Sequence, residues 1–311
     1  MSGSTFSMQG RTCVITGATS GIGRATALAL GALGANLILL GRREVEGQRL
    51  AAALRGAPGA GTVEFVQVDL SDQRQVRALG ADVALRTHSI DVLINNAGGR
   101  FNTFQQSPDG IELTFATNHL GHFLLTNSFL EALLRAPHAR VITVGSSAHG
   151  GVTAAGDWCL NRENYDRRIA YGKSKLANII FAYELARRLS HTEIVSNAVD
   201  PGGVATNLGR NNGLLSWSRH LLYYALKRDL ISPRRAAETL VYLALDPAVE
   251  RISGKYFCMK RQIESSLASH DPSAAADLWA LSVRLTRSDM VEAGFPKNTG
   301  AGPCLRLGKT A

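Results

Sequence analysis

Aromatic residues are scarce in this chain, 6% of 311 residues, and charged residues make up only 19%. So few aromatics and no long Lys/Arg run leave neither a base-stacking platform nor a basic stripe, although the formal net charge is +9. The basic side chains come instead as scattered pairs, Arg42-Arg43, Arg167-Arg168, Arg187-Arg188 and Arg234-Arg235. Cysteine is equally sparse. Cys13, Cys159, Cys258 and Cys304 lie far apart with no CxxC pair, which excludes a disulfide framework and a cysteine-ligated zinc site. His119 and His122 are spaced i, i+3 but lack a carboxylate or a third ligand, so no metal is expected. No apolar run reaches bilayer-spanning length, and residues 1–9 have neither the basic start nor the apolar core of a signal peptide. The expectation is a soluble, cytoplasmic protein that binds no nucleic acid.

What the chain does have is 45% hydrophobic residues and 31 glycines without a fixed period. That composition excludes a disordered or collagen-like chain. Short apolar runs at 12–16, 37–40, 63–68, 92–94, 141–144, 194–199 and 255–259 alternate with amphipathic segments. The segments at 21–33, 44–55, 73–87, 118–135, 170–189 and 233–245 read as helices. Continuous apolar strands separated by helices imply a parallel sheet covered on both faces. The fold class is therefore α/β: a single Rossmann-type, doubly wound domain of about seven strands. Its bounds are set at 9–285, after a flexible segment 1–8 and before a tail 286–311. Residues 207–230 form an amphipathic insertion rich in Leu, Trp and Tyr, and 273–285 read as one more helix.

Directly after the first strand stands Thr16-Gly17-Ala18-Thr19-Ser20-Gly21-Ile22-Gly23. Glycines at a strand-to-helix turn let a pyrophosphate approach backbone N–H groups at the positive end of the next helix. The spacing is not GxGxxG, since three residues separate the first two glycines. It resembles that of the short-chain dehydrogenase/reductase family, and further segments match in order. Asp69-Leu70 after the third strand resembles the family's adenine-binding pair. Asn95-Asn96-Ala97-Gly98 after the fourth resembles its NNAG segment, in which Asn96, Ala97 and Gly98 would wall the cofactor. Pro201-Gly202-Gly203-Val204-Ala205-Thr206 follows the sixth strand, where the family places backbone and a Thr hydroxyl against the nicotinamide carboxamide. At the end of the second strand the family selects its cofactor. Here Gly41 stands where an acidic residue would bind the ribose of NAD, followed by Arg42 and Arg43. A guanidinium suits a 2′-phosphate, so the resemblance implies NADP(H), held by Arg42 with Ser20 assisting and Arg43 as second candidate.

Tyr171-Gly172-Lys173-Ser174-Lys175 places a phenol and an ammonium at i, i+4 on one helix face. An adjacent cation favours phenolate, which brings a Tyr toward the working range of an acid–base catalyst. The resemblance assigns Tyr171 as acid–base, Lys175 as its partner, Ser146 as the donor to the substrate oxygen and Asn118 as the residue that bends a helix and holds a water near the Lys. Ser147 competes with Ser146, but register against the fifth strand favours the latter. Asn118 also reads as a helix N-cap. His149, without a GxSxG motif around the serine, reads as a surface or pocket histidine.

Asn118-His119-Leu120-Gly121-His122-Phe123, the run from Tyr171 to Asn178, and Ser253-Gly254-Lys255-Tyr256-Phe257 look most like the retinol dehydrogenase-like branch. Ser146 lies 25 residues before Tyr171, a longer gap than much of the family has and one that the branch shares. The resemblance implies hydride transfer between NADP(H) and a hydrophobic carbonyl or alcohol, with 207–230 as the substrate lid. Two alternatives stay open: a ketoreductase of a polyketide or steroid pathway, and a non-catalytic NADP(H)-binding regulator. By analogy a homodimer or homotetramer would pair through the helices holding Asn118 and Tyr171.

Overall fold

The apolar runs form strands buried on both faces; Cys13, Val14, Ile15 and Thr16 of the first have no exposed surface. The computed structural model describes residues 7–204 and 231–288. The expected lid at 207–230 and Thr206 therefore lie outside the described residues. The strands are β1 (Thr12–Thr16), β2 (Asn36–Gly41), β3 (Val63–Gln67), β4 (Val92–Asn95), β5 (Arg140–Val144), β6 (Val195–Asp200), β7 (Tyr256–Cys258) and β8 (Arg261–Ile263). They form one sheet in the order β3-β2-β1-β4-β5-β6-β7-β8, with β1 to β7 parallel. The chain winds outward from β1 to β3 and then returns to β4 beside β1. That reversal opens a crevice at the C-terminal ends of β1 and β4.

Two layers of helix cover the sheet. On one face α1 (Gly21–Ala32), α2 (Glu44–Arg55) and α8 (Pro233–Leu245) pack Leu30, Leu54 and Leu240 onto Cys13, Ile15 and Leu39. On the other, α3 (Gln73–Arg86), α5 (Gly121–Ser128) and α7 (Arg167–Arg188) pack Leu79, Phe123 and Phe181 around Val14, Leu40 and Val141. Alternate residues of β1 thus serve opposite cores, as the pleat requires.

The expected sheet of about seven strands is there with one more, and three other expectations need correction. An eighth strand extends the expected seven: Met259 and Lys260, both at positive φ (49° and 63°), make a tight turn that folds β8 back antiparallel on β7. The helix expected at 118–135 begins earlier and is broken. It starts as α4 (Leu113–Phe115), capped by Glu112, which accepts from the N–H groups of Thr114 and Phe115. It then widens into a π-turn (Ala116–Leu120) before α5, and a short α6 (Leu130–Leu134) follows. Asn118 sits inside that π-turn and is not an N-cap. At the N-terminal boundary, Met8 is fully buried and its N–H donates to Leu33 O at 2.8 Å, so packing starts before residue 9. At the other end α9 (Pro272–Thr286) runs to Thr286, whose buried hydroxyl donates to Ser282 O.

Helix α9 lies over the helices holding Asn118 and Tyr171. Trp279 meets Phe123 edge-on at 5.0 Å and stacks on Phe181 at 6.1 Å, and Arg188 caps the indole at 4.0 Å. It covers part of the surface through which a second copy was expected to pair. Among the described residues no helix is long and apolar enough to cross a membrane.

Candidate active site

A cleft of about 910 Å³ opens at the crevice and runs from the ends of β2 and β3 to those of β5 and β6. Its first wall is the loop after β1. Gly17 has φ +67°, and a Cβ there would come within 2.9 Å of Ala97 Cα. A Cβ at Gly23 would stand 2.5 Å from both Gly17 O and Asn96 Nδ2, so only hydrogen allows the loop to close on the Asn96 segment. Helix α1 starts at this loop. Its N-cap Ser20 makes no side-chain cap bond, and Ser20, Gly21 and Ile22 line the cleft. First-turn N–H groups without a side-chain partner, at the positive end of a 12-residue helix, suit a pyrophosphate.

Beyond the loop, Arg42, Arg43, Asp69 and Leu70 line the same wall. The Arg43 guanidinium donates to Thr19 O at 3.0 Å and so stiffens the loop. Arg42 is more exposed, with Nη1 at 3.9 Å from Asp69 Oδ2. Asp69 is held by Ser71, whose N–H and hydroxyl both donate to Oδ1. Asn96, Ala97 and Gly98 form the floor and Pro201, Gly202 and Val204 the far side. A dinucleotide fits this set: a glycine cradle, a helix start without a side-chain cap, and the guanidiniums of Arg42 and Arg43 beside the Asp69 and Glu46 carboxylates.

At the other end Ser146, Tyr171 and Lys175 come together from β5 and α7. Lys175 is buried; its Nζ donates to Val144 O at 3.0 Å and lies 5.8 Å from the centre of the Tyr171 ring. Burial pushes this ammonium down to about 8, opposed by the Asp200 carboxylate at the end of β6. A second cation, Arg100, lies 5.9 Å from the same ring. Ser146 caps the 3₁₀ turn Ser147–Gly151, and its carbonyl accepts from His149 Nδ1 at 2.7 Å. Ser147 is exposed. His149 is buried rather than at the surface, with its Nε2 accepting from Ser266 N, so both ring nitrogens are committed.

Two expected site residues stand behind the wall. Gly23 does not line the cleft but supports it from below. Asn118 is fully buried. Its Oδ1 accepts from Gly99 N at 2.7 Å, and its Nδ2 donates to Gly99 O and to Ser174 Oγ. Ser174 in turn donates to Tyr171 O. The Asn118 side chain thus ties the glycine segment after β4 to the Tyr171 helix. The sequence reading missed Arg100, Arg168, Ile169, Val152 and Ala148 as lining residues, because their placement depends on how the loops fold back. Among the described residues no cluster of His, Cys, Asp and Glu could hold a metal.

The short chain dehydrogenase family model matches residues 11–214. Human retinol dehydrogenase 14 is 37% identical over 288 residues, spanning 88% of this chain and 86% of the relative. A crystal structure of an uncharacterised Mycobacterium paratuberculosis protein superposes with a TM-score of 0.72 at 32% identity, covering 91% of this chain and 96% of that one. A Beutenbergia cavernae structure, named for an NAD(P)-dependent gluconate 5-dehydrogenase and holding NADP at low occupancy, gives a TM-score of 0.66 at 26% identity, over 82% and 97% of the two chains. With that match and this geometry, the chain belongs to the short-chain dehydrogenase/reductase family of oxidoreductases, in its retinol dehydrogenase-like branch.

Proposed function

We propose that the chain is an NADP(H)-dependent oxidoreductase that interconverts a carbonyl and its alcohol on an apolar small molecule, with Tyr171 as the general acid–base. One observation carries this reading. The buried ammonium of Lys175 lies 5.8 Å from the Tyr171 ring, in the same cleft as an uncapped helix N-terminus. When bound, the nicotinamide supplies or accepts the hydride. Gly17, Thr19, Ser20, Gly21 and Ile22 would hold its pyrophosphate, Asp69 and Leu70 the adenine, and Arg42 with Ser20 the 2′-phosphate. Asn96, Ala97, Gly98, Pro201, Gly202 and Val204 would enclose the rest. The Beutenbergia relative's bound NADP supports the cofactor, and the name retinol dehydrogenase supports an apolar substrate. So do Ala148, Val152 and Ile169, which line the reaction end.

In the reducing direction the Tyr171 hydroxyl gives its proton to the substrate oxygen, while the Ser146 hydroxyl donates a hydrogen bond to the same oxygen and stabilises the charge developing there. The Lys175 cation lowers the phenol's pKa. Because Lys175 itself is pushed down to about 8, the cation prevails at pH 7 and is lost as pH rises past that value. Proton donation therefore weakens on the alkaline side.

The test follows NADPH and NADH consumption with a panel of apolar aldehydes and ketones. We expect turnover with a preference for NADPH, and a Tyr171→Phe variant that binds NADPH but loses about 10²–10⁴ in kcat. Full activity in that variant would overturn the assignment of the acid. Tight NADPH binding with no turnover of any panel member would favour the regulator instead.

A further inference from the structure

We propose that His122 is a positioning residue, locking the Asn118 turn to the cofactor loop through a neutral imidazole of fixed tautomer. The inference rests on the reading of the cleft as a cofactor and reaction site, but the network itself is independent of it. His122 is fully buried on α5 and makes two bonds. Its Nδ1 is 2.9 Å from Asn118 O, a carbonyl that can only accept, so Nδ1 carries the hydrogen. Its Nε2 is 2.9 Å from Thr16 Oγ1 at the end of β1. In a neutral ring that nitrogen is an acceptor, and the Thr16 hydroxyl donates to it. Burial supports neutrality by pushing the ring down to about 4, with the Lys175 charge acting in the same sense. The Thr16 hydroxyl has one other acceptor within reach, Ile94 O at 3.2 Å.

The remaining lone pairs of Thr16 Oγ1 accept from Asn96 N at 2.8 Å and Ala97 N at 2.9 Å, while Thr16 O accepts from Asn96 Nδ2 at 2.7 Å. Every donor in this chain points the same way: Asn96 and Ala97 N–H to Thr16, Thr16 O–H to His122, His122 N–H to Asn118. Such aligned bonds in a dry interior polarise one another. The network joins the end of β1, the floor of the cleft and the π-turn. From Asn118 it continues through Ser174 to the backbone of Tyr171.

Three variants of the full chain separate the two ends. Phe at this position keeps a ring but neither bond. Asn offers an amide N–H at the reach of Nδ1, and Gln an acceptor at the reach of Nε2. For His122→Phe we expect NADPH affinity, by fluorescence titration, and kcat on an active panel aldehyde each to fall about tenfold, one buried bond's worth at each end. His122→Asn should recover kcat but not NADPH affinity, and His122→Gln the reverse. If the amide variants behave alike, or both parameters per folded molecule stay at wild-type values, the residue is only structural and the proposal falls. A second measurement needs neither activity nor a variant. Long-range ¹⁵N–¹H correlation of the wild-type imidazole should show a protonated Nδ1 and a bare Nε2. The opposite tautomer, or a cationic ring at neutral pH, would overturn the proposal. A chain inactive on the whole panel that still shows the Nδ1–H tautomer would defeat the functional reading and leave the network standing.

Discussion

The two ends of the cleft are built from different materials. At the β1–β3 end the loop after β1 presents backbone: Gly17 and Gly21 are at positive φ, Gly23 stands against Gly17 O, and Gly41 against Thr19. Among the described residues, none of the buried side-chain polar atoms without a partner precedes Asn95. At the β4–β7 end the chain presents side chains, and behind them, near the C-terminal ends of β4 and β5, Asn95 Oδ1 and Thr143 Oγ1 are buried without a partner. A nucleotide is gripped by main-chain groups, so the first end depends on having no side chain in the way. Proton transfer needs placed phenols, hydroxyls and amines, so the second end carries polar groups that a pure scaffold would avoid. One sheet therefore supports a sealed half and a half with bonding capacity in reserve.

The largest effect we expect lies in the sealed half. Gly23→Ala would place a methyl 2.5 Å from Gly17 O, a backbone atom that can retreat only by opening the loop. Overpacking of this kind costs about 3 kcal/mol, or roughly a hundredfold in NADPH affinity. Fluorescence titration of NADPH against the variant checks it. Wild-type affinity would mean that the loop is softer than its backbone contacts imply, and the contrast between the halves would fail.

Acid should separate the halves next. His119 and His122 are buried in the second half, and burial holds them at about 3 and about 4, below the ordinary 6.5 of imidazole. The unfolded chain therefore takes up protons first as pH falls. The stability held by the two neutral rings is complete above about 6.5 and is lost through the window down to about 4, by roughly 3 kcal/mol for each ring, with His119 extending the loss lower. Asp166 and Asp271, held below the usual carboxylate range by backbone and Ser273 bonds respectively, act only at still lower pH. Hydrogen exchange at pH 5 should open α5 before β1 and β2. If β1 and β2 exchange first, the polar half is not the weak one.

Much of this was legible in the residue pattern wherever the signal is local. The glycine turn after β1, Asn96-Ala97-Gly98 after β4, and Tyr171 with Lys175 one turn apart are short motifs at strand ends or on one helix face, and the structure brings them to one cleft. Features that depend on distant partners were not legible. The π-turn at Asn118 goes with a grip on Gly99, 19 residues away, and the role of His122 depends on Thr16, 106 residues away. The hairpin to β8 escaped because Met259 and Lys260 adopt positive φ without the usual Gly or Asn. His149 read as a surface or pocket residue because its partner Ser266 is 117 residues distant.

The smallest effect is the sharpest test of the idea of reserve. Thr16 and Thr143 both lie near the C-terminal ends of central strands, and both are fully buried. Thr16 uses its hydroxyl toward Asn96, Ala97 and His122. Thr143, in register with Asn95 across β4 and β5, has an Oγ1 with no partner, as does Asn95 Oδ1. Replacing an unpaired buried hydroxyl by a methyl removes a desolvated group and breaks no bond. Thr143→Val should thus leave the melting temperature unchanged or raise stability by under about 1 kcal/mol, with kcat and NADPH affinity retained. A loss of kcat at unchanged stability would give the hydroxyl a task in turnover that the resting structure conceals. A loss of stability would mean that Thr143 is paired after all, through a bridging water that also engages Asn95, and the division between a sealed half and a polar half would then mark where water is held.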